Sequence, residues 1–146
     1  MLYSKSTEYI IRALVYLSLQ DKYRLVNVKE ISENTDIPRP FCAKLFQGLA
    51  KTKWVISKKG KNGGIKFVSN PKDITLYDIV NWTEGINDSD RCIFGHKICN
   101  KENKCPLHNR CHILERNIID FFRKTTINDF TKAWKKHSDD FLVKTG

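Results

Sequence analysis

Cys92, Cys99, Cys105 and Cys111 fall within twenty residues of a 146-residue chain that has five cysteines in all. They belong to the stretch RCIFGHKICNKENKCPLHNRCHILE, Arg91 to Glu115, which also holds His96, His108 and His112. Thiolate sulfur and imidazole nitrogen are the donors taken by iron-sulfur clusters and by zinc. The spacing C-x6-C-x5-C-x5-C lacks the close C-x2-4-C pairs of structural zinc sites, which places zinc second. Iron-sulfur ligands can be spread more widely, because a cluster is itself several ångströms across and can sit in an open loop.

Cys92, Cys99 and Cys105 lie in or at the edge of a polar loop, where side chains can converge. Cys105 stands at a helix start with His108 three positions on, so these two can share a centre. Cys111 also belongs to an apolar seam, where a buried structural cysteine is common. The plain alternative is four incidental or disulfide-forming thiols, which a reducing cytoplasm disfavours. A Cys105 nucleophile with His108 as base would make an enzyme, but no oxyanion or substrate motif accompanies the pair, so no enzyme is expected. A small electron carrier would leave the basic half of the chain without a purpose.

That basic half is well defined. The formal charge is +10, a surplus that favours a polyanionic partner. From Ile37 to Lys72 there are nine Lys or Arg and no acid, whereas from Glu84 to Asp120 six acids balance six bases. The N-terminus has no apolar run ahead of a cleavage site, and no stretch is long and apolar enough to span a bilayer. A cytoplasmic protein without a membrane partner is expected.

The elements that must position these residues follow from periodicity. Ile10, Ala13, Leu14 and Leu17 predict an amphipathic helix over about 5–20, with Glu8 in its first turn at the positive end of the helix dipole. Asn27 and Glu30 open a short helix ending near Asn34, and the turn Thr35 to Pro38 leads into a second helix from about Arg39 to Lys51. This is the helix-turn-helix order. Cys42, Leu45, Phe46 and Leu49 form the inner stripe of the second helix, which makes Cys42 a small buried hydrophobe. Its outer face carries Arg39, Ala43, Lys44, Gln47 and Lys51, types that include partners for bases and phosphates in a major groove.

Trp54 to Ser57 and Ile65 to Val68 are β-prone runs around the turn Lys58-Lys59-Gly60-Lys61-Asn62-Gly63-Gly64. A hairpin directly after a helix-turn-helix is a wing, and Lys58, Lys59 and Lys61 would reach phosphates or a narrow A·T-rich minor groove. Thr75 to Asp78 caps a further helix before Gly85, and Thr126 to Asp129 repeats that pattern near the C-terminus. A late helix starts near Pro106. Leu107, Cys111, Leu114, Ile118 and Phe121 form a heptad-like seam on it, widened by Ile119 and Phe122, and suited to a second copy of the chain. Two-fold symmetry would present both wings to a palindromic operator on double-stranded DNA.

The fold class expected is mainly α with a small β-hairpin wing: a winged helix-turn-helix plus a long C-terminal dimerisation helix. The division expected is 1–85 for DNA binding, 86–104 for the cysteine-rich loop, and 105–146 for the dimerisation and C-terminal helices.

In this order, SKSTEYIIRAL, ISENTDIPRPFCAKLFQGLAK, SKKGKNGGIKF, TLYDIV and the loop ending in KCPLH resemble the Rrf-two family of winged-helix regulators, from the first residues to about Trp134. The resemblance implies a homodimeric transcription regulator, often a repressor, responding to redox state, nitric oxide or iron-sulfur status. It implies a 2Fe-2S or 4Fe-4S iron-sulfur cluster on three loop cysteines, here Cys92, Cys99 and Cys105, and a fourth ligand. IscR-like members use a histidine placed as His108 is. NsrR-like members use an acid in the first helix of the other protomer, matching Glu8. Cys111 also aligns with the last cysteine of NsrR-like members, and the first gap is one residue longer than in IscR-like members. A winged-helix regulator with zinc-bound or redox-active thiols and no cluster is the alternative.

Overall fold

The computed structural model describes residues 3–86, 102 and 104–136. Ser4 opens α1 (Lys5–Ser18): its side chain accepts the Thr7 N–H, and Glu8 follows in the first turn. A side-chain cap satisfies one of the donors a helix start leaves unpaired. The helix buries Ile10, Ile11, Ala13, Leu14, Val15 and Leu17. With α2, α4, α6 and the hairpin packed around it, α1 is the central element of the core.

Asn27 caps α2 (Val28–Thr35) by accepting the Glu30 N–H at 2.8 Å. The helix stops at Asp36, whose left-handed backbone (φ 53°) turns the chain. Pro38 then precedes α3 (Arg39–Leu49), with Pro40 in its first turn, where proline's missing N–H costs nothing and its fixed φ suits the helix. Cys42, Phe46 and Leu49 are buried from α3. These short, strongly punctuated helices follow the order expected, although α3 ends two residues earlier.

Strands β1 (Val55–Lys58) and β2 (Gly64–Phe67) pair antiparallel, with Val55 opposite Phe67 and Lys58 opposite Gly64. Val55, Ile65 and Phe67 turn inward. Val26 adds a short third rung, exchanging two 2.8 Å hydrogen bonds with Ile65. That approach explains Gly64: a β-carbon there would lie 2.7 Å from the Val26 carbonyl oxygen, on a backbone with φ 153°. Only glycine fits so close a crossing.

A reciprocal capping box between Thr75 and Asp78 begins α4 (Leu76–Glu84), which ends at Gly85. Next described is α5 (His108–Lys124), starting two residues after Pro106, because Pro106 and Leu107 form a turn closed by His108 N–H to the Cys105 carbonyl at 3.0 Å. Thr126 and Asp129 cap α6 (Ile127–Lys136) through bonds of 2.9 and 3.3 Å. Leu76 N–H donates to the Thr125 carbonyl and Ile127 N–H to that of Ile74, which ties the starts of α4 and α6 together. Among the described residues no helix is long and apolar enough to cross a membrane.

Candidate nucleic-acid interface and thiol site

The outward face of α3 presents Arg39, Pro40, Ala43, Lys44 and Gln47, with Lys51 in the turn beyond; all are exposed. Lys58, Lys59 and Lys61 are exposed at the hairpin end. None of the seven residues expected to meet DNA has a side-chain hydrogen bond or ion pair among the described residues. Their polar groups are therefore available to an outside partner. An acid-free face of donors on α3, followed in the chain by a lysine-bearing hairpin, carries the charge expected of a phosphate-binding surface.

The placement of α3 depends on contacts the sequence does not announce. Trp82 of α4 lies over Gly48, where a β-carbon would be 3.1 Å from its Cη2, and Trp54 meets the indole edge-on at 6.0 Å. At the other end of α3, Phe41 packs edge-on against Tyr9 of α1 at 5.2 Å. The one sequence signal for this arrangement is a glycine inside an otherwise regular helix, which calls for a packing reason.

Among the thiols, Cys92 and Cys99 lie outside the described residues, as does His96. Cys105 and Cys111 are free and half-buried. Cys105 precedes α5, and Cys111 sits in its first turns with His108 between them. The His108 ring is stacked on that of His112 at 6.1 Å, with 11° between planes, and His112 Nδ1 lies 3.8 Å from Glu115. Among the described residues no three His, Cys, Asp or Glu side chains converge on one point. The donor set nonetheless suits an iron-sulfur cluster or zinc, since it offers two unpaired thiols and an imidazole within two helical turns.

Glu8 is held within its own chain. Lys5 Nζ reaches both carboxylate oxygens at 2.9 and 3.0 Å, and Arg12 Nη2 also donates to it. The Lys5 hydrogen bonds, aided by the Arg12 charge and opposed by burial, hold the Glu8 carboxyl below the usual range. Cys42 stands apart from the cluster: it is fully buried, and burial pushes its thiol up to about 11.

The seam on α5 divides in two. Phe122 is buried and Ile118 packs against the core, where α5 meets α4. Leu107, Leu114 and Phe121, seven residues apart, are exposed together with Ile113. The single wide face expected from periodicity is thus an inner row used by this chain and an outer row left open.

Residues 3–133 match the family described as "Rrf2: Iron-dependent Transcriptional regulator". The chain belongs to the Rrf2 family. Similar proteins include an inferred HTH-type transcriptional regulator of Aquifex aeolicus, 36% identical over 139 residues and covering 94% of this chain and 96% of that one. The HTH-type transcriptional regulator NsrR of Bacillus licheniformis is 28% identical over 129 residues, 84% of this chain and 87% of the relative. In fold, this Rrf2 chain is similar to CymR, the global cysteine regulator of B. subtilis, with TM-score 0.72, 21% identity, and 89% and 95% of the two chains covered. It is equally close to T. potens IscR, with TM-score 0.70, 21% identity, and 94% and 91% covered. The Rrf2 protein described here is a winged-helix, DNA-binding transcription regulator, and its relatives are regulators rather than enzymes.

Proposed function

We propose that this Rrf2 chain acts as a homodimeric repressor on a palindromic operator, in the reducing cytoplasm, with its affinity set by an iron-sulfur cluster. The observation that carries the DNA half is the acid-free outer face of α3 beside the lysine hairpin. In this reading residues 1–85 read DNA, 86–104 hold the cluster and 105–146 join the protomers. Arg39, Lys44, Gln47 and Lys51 serve the major groove; Lys58, Lys59 and Lys61 serve phosphates or the flanking minor groove. The outer row Leu107, Leu114 and Phe121 meets its own copy in a partner, burying apolar surface that one protomer leaves wet.

Cys92, Cys99 and Cys105 would hold the cluster, with Cys111, His108 or the partner's Glu8 as fourth ligand. When bound, the group would supply a link among these thiolates that is sensitive to oxidants, nitric oxide and iron loss. The chain's own part is transmission. Residues 86–104 follow directly on α4, and α4 carries Trp82, which rests on Gly48 of α3. A shift of α4 therefore shifts the reading helix. Changing the population of the binding form appreciably needs a differential of about 1–5 kcal/mol.

The test is an ultraviolet-visible spectrum with iron, sulfide and zinc analysis of protein isolated without oxygen, followed by operator binding of Cys99→Ala. A brown protein that loses colour and changes affinity in the variant supports the reading. Unchanged binding by a colourless variant would sink the coupling but not DNA binding. On the DNA side, affinity should fall steeply with salt, and removing each wing lysine should lower the salt slope by about one.

A second reading follows from the free, half-buried Cys105 and Cys111: the thiols respond by oxidation or bind zinc, without a cluster. The fold neighbours include Staphylococcus aureus CymR in an oxidized form. Metal analysis separates the two, because colourless protein with active thiols or zinc belongs only to the second.

A further inference from the structure

The outer face of α3 carries a pattern as well as charge. Arg39, Ala43 and Gln47 recur every four residues and line one edge of the helix, with Pro40 and Lys44 beside them. Among the side chains of α3 the one hydrogen-bonding oxygen is Gln47 Oε1, since the helix contains no Asp, Glu, Ser, Thr or Asn. In the major groove cytosine offers a donor, which Asp or Glu would take, whereas adenine offers a donor and an acceptor side by side. An amide such as Gln47 matches adenine in both. Ala43 has only a methyl group to offer, and the thymine 5-methyl is the apolar feature of that groove.

We infer that the operator half-site of this chain contains a thymine whose 5-methyl packs on Ala43 and an adenine read by Gln47 through its N6 and N7. Four residues of helix advance about 6 Å and a base pair rises about 3.4 Å, so the two bases lie about two steps apart when the helix runs along the groove. The wing points to the same composition independently. Its exposed Lys58, Lys59 and Lys61 suit the narrow minor groove of A·T-rich DNA, whose negative potential attracts cations. This assignment rests on the major-groove reading of α3 and adds the bases that it selects.

The test uses the full-length protein as isolated. Duplexes are selected from a random pool, and the preferred site is titrated by fluorescence anisotropy with each thymine replaced in turn by deoxyuridine, which removes only the 5-methyl. One replacement per half-site should weaken binding about threefold to tenfold. Ala43→Gly, which removes the methyl group, should erase that penalty. Gln47→Ala should make the adenine about two steps away exchangeable with guanine at less than twofold cost, where the unmodified protein loses at least about tenfold. A preferred site in which no deoxyuridine matters, or a penalty that survives Ala43→Gly, overturns the inference alone. Recovery of no preferred sequence overturns it together with the major-groove reading beneath it.

Discussion

The Trp82 indole occupies the space a side chain at Gly48 would need: a β-carbon there would lie 3.1 Å from Cη2 and 3.4 Å from Cζ2. Helix α3 thus leans on α4 where it has no side chain of its own. Gly48→Ala gains about 1 kcal/mol of helix propensity and is opposed by that contact. Because Trp82 is 41% exposed, it can swing outward, so net stability should change by less than about 1 kcal/mol. Tryptophan emission should shift and operator affinity should fall severalfold. Shifted emission with unaltered affinity would disconnect Trp82 from the placement of α3.

Thr7 is fully buried, with its hydroxyl 2.7 Å from Glu84 Oε1 and 2.6 Å from the Thr83 hydroxyl. Thr7→Val should cost about 0.5–1.5 kcal/mol in urea unfolding, since the buried hydroxyl's bonds are lost while the exposed Glu84 carboxylate can turn to water. Burial tends to raise the Glu84 pKa, but the Ser4 N–H and the Thr7 and Ser4 hydroxyls prevail and hold it below the ordinary 4.5. A depressed carboxyl stabilises the fold fully above its unfolded pKa, and that contribution drains away as pH falls through the folded value. Stability should therefore drop as pH falls below about 4.5, and the drop should be shallower in Thr7→Val. Equal slopes in both proteins would remove Glu84 from the account.

Phe121 and Phe122 are adjacent yet opposite in role, 53% and 2% exposed. Phe122→Ala should cost about 3–5 kcal/mol of stability through the cavity it leaves. Phe121→Ser and Leu114→Glu should leave each protomer folded and shift sedimentation toward the monomer. Self-association untouched by both outer-row changes would mean that the protomers join elsewhere.

Burial should also silence one thiol. Thiolate is the reactive form, and Cys42 is pushed up to about 11 with no exposed surface. In protein stripped of metal, iodoacetamide at pH 8 should leave Cys42 unmodified in the folded chain and label it in urea, while Cys105 and Cys111 react without denaturant. Peptide mapping reads the outcome, and native labelling of Cys42 at their rate would contradict its place in the core.

The sequence by itself determined what is local. Asn27 with Glu30, Thr75 with Asp78 and Thr126 with Asp129 mark helix starts, because each cap bonds within four residues. Pro38 and Pro40 at the entry to α3, and Gly60 in the hairpin turn, act through their own backbone angles. The acid-free run from Ile37 to Lys72 and the exposed cations on α3 were legible for the same reason: a helical period separates an inner stripe from an outer one. Tertiary structure decided what each face meets. Thr7 and Glu84 lie 77 residues apart, Val26 joins a hairpin beyond the next two helices, and Gly48 receives an indole from α4. Periodicity presents the apolar residues of α5 as one face, but the core takes up Phe122 and Ile118 and leaves Leu107, Leu114 and Phe121 outside. Periodicity specifies that a face be apolar, whereas the free energy of burying it belongs to the pair of surfaces that meet.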